Sequence, residues 1–158
     1  MQTIWLPVLS VFSRVLLAFS LAYLVPLAWA WGLDREHHVL VWAFGFAASV
    51  GSGALLWAVT RRHRRELLPR DGFLLVNLVW LVLPAYAAVP LWTTVPDLSF
   101  SKAYFEAKSA LTATGSTAIS GLDHLPVSVN VWRCFLQLIG GLGIMLLVVA
   151  ILPLLGLG

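Results

Sequence analysis

The chain has 158 residues, of which 60% are hydrophobic and only 11% are charged, and its mean hydropathy is +0.91. A soluble domain is about 45–50% apolar and about 25% charged, so this composition excludes an ordinary soluble globular protein and also a disordered one. The net charge of +3 does not indicate a nucleic-acid partner, because half of the lysines and arginines fall within the short stretch 61–70. We therefore expect an all-α integral membrane protein in contact with the lipid bilayer.

Four uncharged stretches are long enough to cross roughly 30 Å of hydrocarbon as helices, which takes roughly 20 residues. We expect Arg14 to mark the inner end of the first helix. We expect no cleavable signal peptide, because no charge precedes the first apolar stretch. The basic loop 61–70 should lie in the cytoplasm, together with the N-terminus, because short cytoplasmic loops are rich in Lys and Arg. The four predicted spans are residues 15–33, 39–60, 73–96 and 134–158.

The side chains of these spans give two further expectations. Small residues at Gly45, Ser49 and Gly53 recur every four positions in the second span, which predicts close packing against another helix. Indole rings favour the headgroup level of a membrane. We expect that position for five tryptophans near the proposed outer ends: Trp29, Trp31, Trp42, Trp92 and Trp132.

Between the third and last spans lies a stretch that is too short to cross. Asp97 and Ser99 are candidate N-caps for a helix over 101–112. Twelve residues at about 1.5 Å each give about 18 Å, which is halfway through the hydrocarbon. The small residues at 113–117 have no helical periodicity, and about five extended residues suffice to return to the surface. The pattern predicts a re-entrant half-helix followed by a loop.

This loop has the chemistry of a cation filter. Irregular backbone at membrane depth persists only where protein buries it or where it lines a water-filled cavity. Backbone carbonyls can replace the hydration shell of K⁺, and the negative C-terminal end of a helix favours a cation nearby. Gly115 permits angles that aim successive carbonyls at one axis, and the hydroxyls of Thr112 and Thr114 can add oxygen ligands. The alternative is a re-entrant loop that only packs against neighbouring helices.

Charged residues around the half-helix have several possible roles. Glu106 either pairs with Lys102 one turn back or supports the filter from behind. Lys108 either points toward the filter, where it would repel K⁺, or turns outward. Asp123 at the outer mouth can raise the local cation concentration through its field. We expect Arg133 to snorkel to the interface.

The sequence disfavours an enzyme. An intramembrane hydrolase needs a serine with a base within reach, and only Ser116 and His124 lie near each other, without a G-x-S-x-G motif. The lone Cys134 can form neither an internal disulfide nor a thiol cluster for a metal. We therefore expect no catalytic residues and no cofactor.

The stretch 105–117 resembles the first pore loop of TrkH-type potassium-uptake proteins. The resemblance extends to Gly121-Leu122-Asp123, to Trp132-Arg133 with Gln137, and to the glycine-rich run that begins at Gly140. It implies a Trk/Ktr transporter in which two leading helices precede four helix–filter–helix repeats around one K⁺ pathway. By this resemblance the backbone cation ligands are those of Thr112, Ala113, Thr114 and Gly115, with Ser116 next in line.

The resemblance also implies an organisation and partners. Residues 1–68 would form a two-helix membrane unit and residues 69–158 the first repeat, with the later repeats absent from this sequence. The family pattern implies the inner membrane, K⁺ as the transported ion, a homodimer and a cytosolic nucleotide-binding regulatory subunit. Two alternatives stay open, namely a non-transporting scaffold or truncated remnant, and a homo-oligomeric channel built from one repeat per chain.

Overall fold

The computed structural model describes residues 5–34, 36–62 and 68–151, and every regular element in these ranges is helical. One turn of 3-10 helix joins the first two α-helices at Leu21–Tyr23, and another precedes the last at Leu122–His124. The α-helices are α1 (Trp5–Ser20), α2 (Leu24–Leu33), α3 (Glu36–Thr60), α4 (Pro69–Thr94), α5 (Phe100–Leu111) and α6 (Val127–Ile151).

Four helical segments are long and apolar enough to cross a membrane. The first is the continuous 29-residue stretch Trp5–Leu33, which contains α1 and α2. With only 12 residues, α5 is the short helix between the third and fourth segments. The prediction of an all-α membrane protein with four spans and a half-helix is confirmed. The other three segments are His38–Thr60, Arg70–Thr94 and Val127–Leu146.

Two predicted boundaries are wrong. The described part of the first helix already includes Trp5, so Arg14 lies within the helix, with an exposed side chain, rather than at its end. The last helix begins at Val127 rather than at residue 134, so Arg133 lies within it, where it forms an ion pair with Glu106. Part of the basic loop, 63–67, and the end of the last predicted span, 152–158, lie outside the described residues.

The small residues of α3 pack against the first span, as predicted. A Cβ atom at Gly45 would lie 2.6 Å from the ring of Tyr23, and one at Gly53 would lie 3.0 Å from the side chain of Leu17. Ser49, between them, is fully buried. Their lack of side-chain bulk allows the two helix backbones to approach closely.

Two of the five tryptophans expected at headgroup level lie instead in the core. Trp42 and Trp132 are fully buried, with ring centroids 5.5 Å apart. The Trp42 indole N–H donates to the hydroxyl of Ser128 at 2.9 Å, and that of Trp132 donates to the carbonyl of Ala87 at 3.0 Å. A buried indole is stable where its N–H has an acceptor. The exposed ones are Trp29, Trp31 and Trp92.

Within α4, Pro90 leaves the carbonyl of Tyr86 without its helical partner, because proline has no N–H. The hydroxyl of Tyr23 donates to this carbonyl at 2.8 Å. Neighbouring side chains often satisfy backbone groups that a proline frees in a membrane helix. The contact ties α4 to the first span.

The start of α6 is fixed by a residue from far away in the sequence. The carboxylate of Asp34, at the end of α2, accepts hydrogen bonds from the backbone N–H groups of Val127 and Ser128, both at 3.1 Å. These are among the free donors that open any α-helix, and a carboxylate is a favoured acceptor for them. This contact fixes the start of α6, the helix that carries Arg133 and packs against α5.

The helices share one core. α1 packs against α3 and α4, α2 packs against α6, and α5 lies between α4 and α6. A Cβ at Gly140 of α6 would collide with the backbone of Leu111, the last residue of α5. Gly140 therefore lets the end of the half-helix rest directly on α6. The division into units 1–68 and 69–158 stays a prediction.

Candidate functional site

The half-helix α5 begins at its predicted cap. The hydroxyl of Ser99 accepts a hydrogen bond from the backbone N–H of Lys102 at 3.4 Å, and Ser99 has the extended backbone of an N-cap. Three alanines on the buried side let α5 approach its neighbours closely. They are Ala103, Ala107 and Ala110.

The half-helix ends in a Schellman motif that reverses the chain. The N–H of Thr114 donates to the carbonyl of Ser109, and the N–H of Ala113 donates to the carbonyl of Ala110, both at 2.9 Å. Ala113 has φ of +54°, the left-handed conformation that such a motif requires and that glycine usually supplies. Ala113 thus holds a strained position where the backbone leaves the helix.

The segment 113–118 after this turn is exposed. The carbonyls of residues 112–116 accept no hydrogen bond from any residue in the described ranges. Gly115 has φ of +76°, as expected for a position that needs glycine. The segment is therefore a run of free peptide oxygens at the C-terminal end of a half-helix.

The threonine hydroxyls of the loop are hydrogen-bonded to each other and to the half-helix. The hydroxyl of Thr112 donates to the carbonyl of Lys108 at 2.8 Å, and its oxygen lies 2.8 Å from that of Thr114. These contacts hold the loop near its start against α5. The main-chain carbonyls are then the freest oxygen ligands of the loop.

Glu106 lies behind the returning part of the loop. Its side chain is buried, and one carboxylate oxygen accepts the hydroxyl of Thr117 at 3.0 Å and the backbone N–H of Ala118 at 2.9 Å. The other oxygen accepts the Nε–H of Arg133 at 2.7 Å. Glu106 therefore contacts the loop rather than Lys102, and its role as a support of a filter stays a prediction.

Arg133 makes contacts behind the loop that the sequence analysis did not predict. The expectation that it snorkels to the interface is wrong, because its guanidinium forms an ion pair with Glu106 and donates to the Thr117 hydroxyl at 3.4 Å. A planar guanidinium can serve several acceptors at once, which suits it to this position. Two sequence signals pointed to this residue: the opposite charges on neighbouring elements, and the place of Trp132-Arg133 in the family resemblance.

The remaining predicted residues lie at the edges of the site. Lys108 turns to α4, where its ammonium donates to the carbonyl of Trp80 at 3.0 Å. Asp123 lies exposed in the 3-10 turn after the loop, and its effect on cations stays a prediction. Ser116 is exposed and lines a small pocket beside Gln137.

Comparison with known proteins gives relatives over nearly the whole chain. TrkH from Vibrio parahaemolyticus, a Trk system potassium uptake protein, is 42% identical over 152 residues, which are 96% of this chain and 31% of that protein. The Escherichia coli TrkH protein is 44% identical over 114 residues, covering 72% of this chain and 24% of its own length. The TrkG protein of Escherichia coli is 36% identical over 142 residues, which are 89% of this chain and 29% of that protein.

A solved structure agrees with the fold. The crystal structure of the potassium transporter TrkH from Vibrio parahaemolyticus matches with a TM-score of 0.88 and 41% identity, over 100% of this chain and 33% of that one. This chain thus spans about a third of the length of its relatives. The family described as TrkH, cation transport protein, matches residues 38–158. The chain therefore belongs to the TrkH family of cation transport proteins.

Proposed function

We propose that this chain contributes one selectivity-filter segment to a K⁺ pathway within a longer potassium-uptake protein. In this proposal, K⁺ loses part of its hydration shell and is bound by the backbone carbonyls of Thr112, Ala113, Thr114 and Gly115. It then moves down its electrochemical gradient. K⁺ is the transported ion, and no resident cofactor takes part.

The observation that carries the proposal is the set of free carbonyls at 112–116. A peptide group without a hydrogen-bond partner in hydrocarbon is costly, so irregular backbone at membrane depth must line a water-filled path or be covered by further protein, and this proposal takes the first case. The loop offers carbonyl oxygens as cation ligands and has no charged side chain, which suits a weakly bound monovalent cation.

The half-helix adds to the attraction. The C-terminal end of an α-helix carries a partial negative charge, equivalent to roughly half an electron, over its last turn. In α5 this end lies directly before the loop, at Leu111 and Thr112. A cation at the loop therefore gains from both the helix end and the peptide oxygens.

One loop cannot surround an ion. The relatives that share this segment are about three times as long, and α6 exposes large apolar side chains that further membrane segments can cover. We propose that such segments complete the ring of carbonyls. The exposed side chains of α6 are Leu138, Leu142, Met145 and Leu146.

The family resemblance supports several further parts of the proposal. They are location in the inner membrane, a cytoplasmic N-terminus and loop 61–70, a homodimer, and a cytosolic nucleotide-binding regulatory subunit. The basic residues Arg61 and Arg62, both exposed at the end of α3, support the cytoplasmic assignment of that loop.

The test uses a chimera that carries residues 1–158 in place of the matching third of the Vibrio parahaemolyticus transporter. Gly115→Asp should reduce Rb⁺ uptake at least about tenfold in a K⁺-uptake-deficient strain, because it strains the loop and places a carboxylate beside the carbonyls. Gly121→Asp is the matched control, since Gly121 also has positive φ, at +71°, but lies outside the proposed filter. It should retain most of the uptake.

Three outcomes would contradict the proposal in different ways. Unchanged Rb⁺ uptake in the Gly115 variant would remove the filter assignment. A chimera that reaches the membrane but takes up no Rb⁺ would favour a scaffold or remnant. Growth rescue in low potassium by the 158-residue chain alone would favour a homo-oligomeric channel.

A further inference from the structure

A small polar pocket lies between α5, the filter loop and α6. Its volume is about 60 Å³. It adjoins the loop at Gly115 and Ser116, the end of the proposed filter segment, and it reaches Arg133 and Gln137 on α6. A molecule in it would lie next to the proposed filter segment.

One residue that lines this pocket carries a buried hydroxyl without a hydrogen-bond partner among the described residues. Ser109 is only 6% exposed, and its Oγ atom is buried without an acceptor or donor among the described residues. Leaving such a group unsatisfied costs about 1–3 kcal/mol. A ligand in the pocket that bonds the Ser109 hydroxyl would remove this cost.

The filter backbone beside this hydroxyl is also unsatisfied. The N–H groups of Gly115 and Ser116 donate to no acceptor in the described part of the chain. The amide nitrogen of Gln137 lies 3.4 Å from the position that a Cβ at Gly115 would occupy. Several polar groups of different elements thus border one small space.

The charges around the pocket favour a neutral ligand. Arg133 at its wall disfavours a cation, and Glu106 beside it disfavours an anion. These two side chains already neutralise each other in an ion pair. A water molecule needs at least about 10–15 Å³ and two to four polar partners, and the pocket meets both conditions.

We infer that the pocket binds ordered water, which links the Ser109 hydroxyl to the peptide groups of Gly115 and Ser116 and to Gln137. The inference rests on the proposed function, because the water holds the peptide planes whose carbonyls bind K⁺. Ser109 is then a positioning residue of the filter, and its hydroxyl maintains the preference for K⁺-sized ions.

The test compares two isosteric substitutions in the chimera described above. Ser109→Thr keeps the hydroxyl, whereas Ser109→Val has the same shape without it. The threonine variant should keep the ratio of Rb⁺ to Na⁺ uptake, and the valine variant should lower it about three- to tenfold at equal membrane abundance. Ser101→Val on the exposed side of α5 is the control and should change nothing.

A cryo-EM map of the chimera supplies the second measurement. Density for water between Ser109 and Gly115, lost in the valine variant, is the expected result. Equal uptake ratios for the threonine and valine variants, or a side chain of the remaining protein filling the pocket, would overturn the inference. If the unmutated chimera takes up no Rb⁺ but shows this water, the proposed function fails while the water site stands.

Discussion

The ammonium of Lys108 in α5 donates to the carbonyl oxygen of Trp80 in α4, at 3.0 Å. Within α4 that carbonyl would bond the N–H of residue 84, but Pro84 has none. Tyr104, one turn earlier in α5, donates its hydroxyl to the carbonyl of Leu81, also at 3.0 Å. Two side chains of the half-helix, Lys108 and Tyr104, thus bind α4 next to Pro84.

Replacing Lys108 should weaken the protein through this carbonyl. We expect Lys108→Met to destabilise the chimera by about 1–3 kcal/mol, because the Trp80 carbonyl is left without a donor. In a Pro84→Ala background the effect should shrink, since the new backbone N–H at position 84 can bond that carbonyl. Thermal unfolding of the purified protein in detergent measures all four variants.

Lys102→Met is the control for this double-mutant comparison, because Lys102 lies exposed on the same half-helix. It should leave the unfolding temperature unchanged in both backgrounds. Equal destabilisation by Lys108→Met with and without Pro84 would show that the lysine acts independently of the proline.

The sequence predicted the features that depend on local composition. The spans followed from the absence of charge, and the half-helix followed from its length, from Ser99 as its cap and from the small residues after it. The packing at Gly45 and Gly53 followed from their spacing. Each of these signals lies within one stretch of chain, so one sequence suffices to detect it.

Contacts between distant residues could not be predicted in this way. Asp34 caps α6 from the end of α2, and Arg133 of α6 reaches Glu106 of α5 behind the loop 113–118. The predicted span starts after Arg133 because an isolated charge is expensive in hydrocarbon, whereas the structure pairs this charge inside the helix bundle. Trp42 is buried for a similar reason, since its N–H has an acceptor on α6.

The Glu106–Arg133 pair should couple strongly in stability and uptake. We expect Arg133→Met to cost about 3–5 kcal/mol, because it leaves the buried Glu106 carboxylate without its partner, and Glu106→Gln to cost less, because the Arg133 side chain is 19% exposed. The double variant should be more stable than the sum of the two effects predicts. Thermal unfolding gives the coupling energy, and Rb⁺ uptake shows whether the loop keeps its shape.

Asp123→Asn is a suitable comparison for this pair, because it removes a carboxylate that lies exposed next to the same loop. Its unfolding temperature should equal that of the parent. Strictly additive effects of the Glu106 and Arg133 substitutions would mean that the two side chains do not act together.

Two neighbouring glycines of α6 test whether the contact between α5 and α6 positions the end of the half-helix. A Cβ at Gly140 would collide with the backbone of Leu111, whereas one at Gly141 would meet nothing within 4 Å. Gly140→Ala should therefore displace the end of α5 and lower Rb⁺ uptake at least about tenfold, because the carbonyls of the proposed filter must keep their spacing to bind an ion.

Gly141→Ala should preserve uptake and slightly raise the unfolding temperature, because alanine favours a helix by about 1 kcal/mol over glycine. Immunoblots of the membrane fraction show whether both variants are present at equal amounts. If the two alanine variants behave alike, the contact between Leu111 and α6 does not set the position of the loop, and the carbonyls at 112–116 must be held from another side.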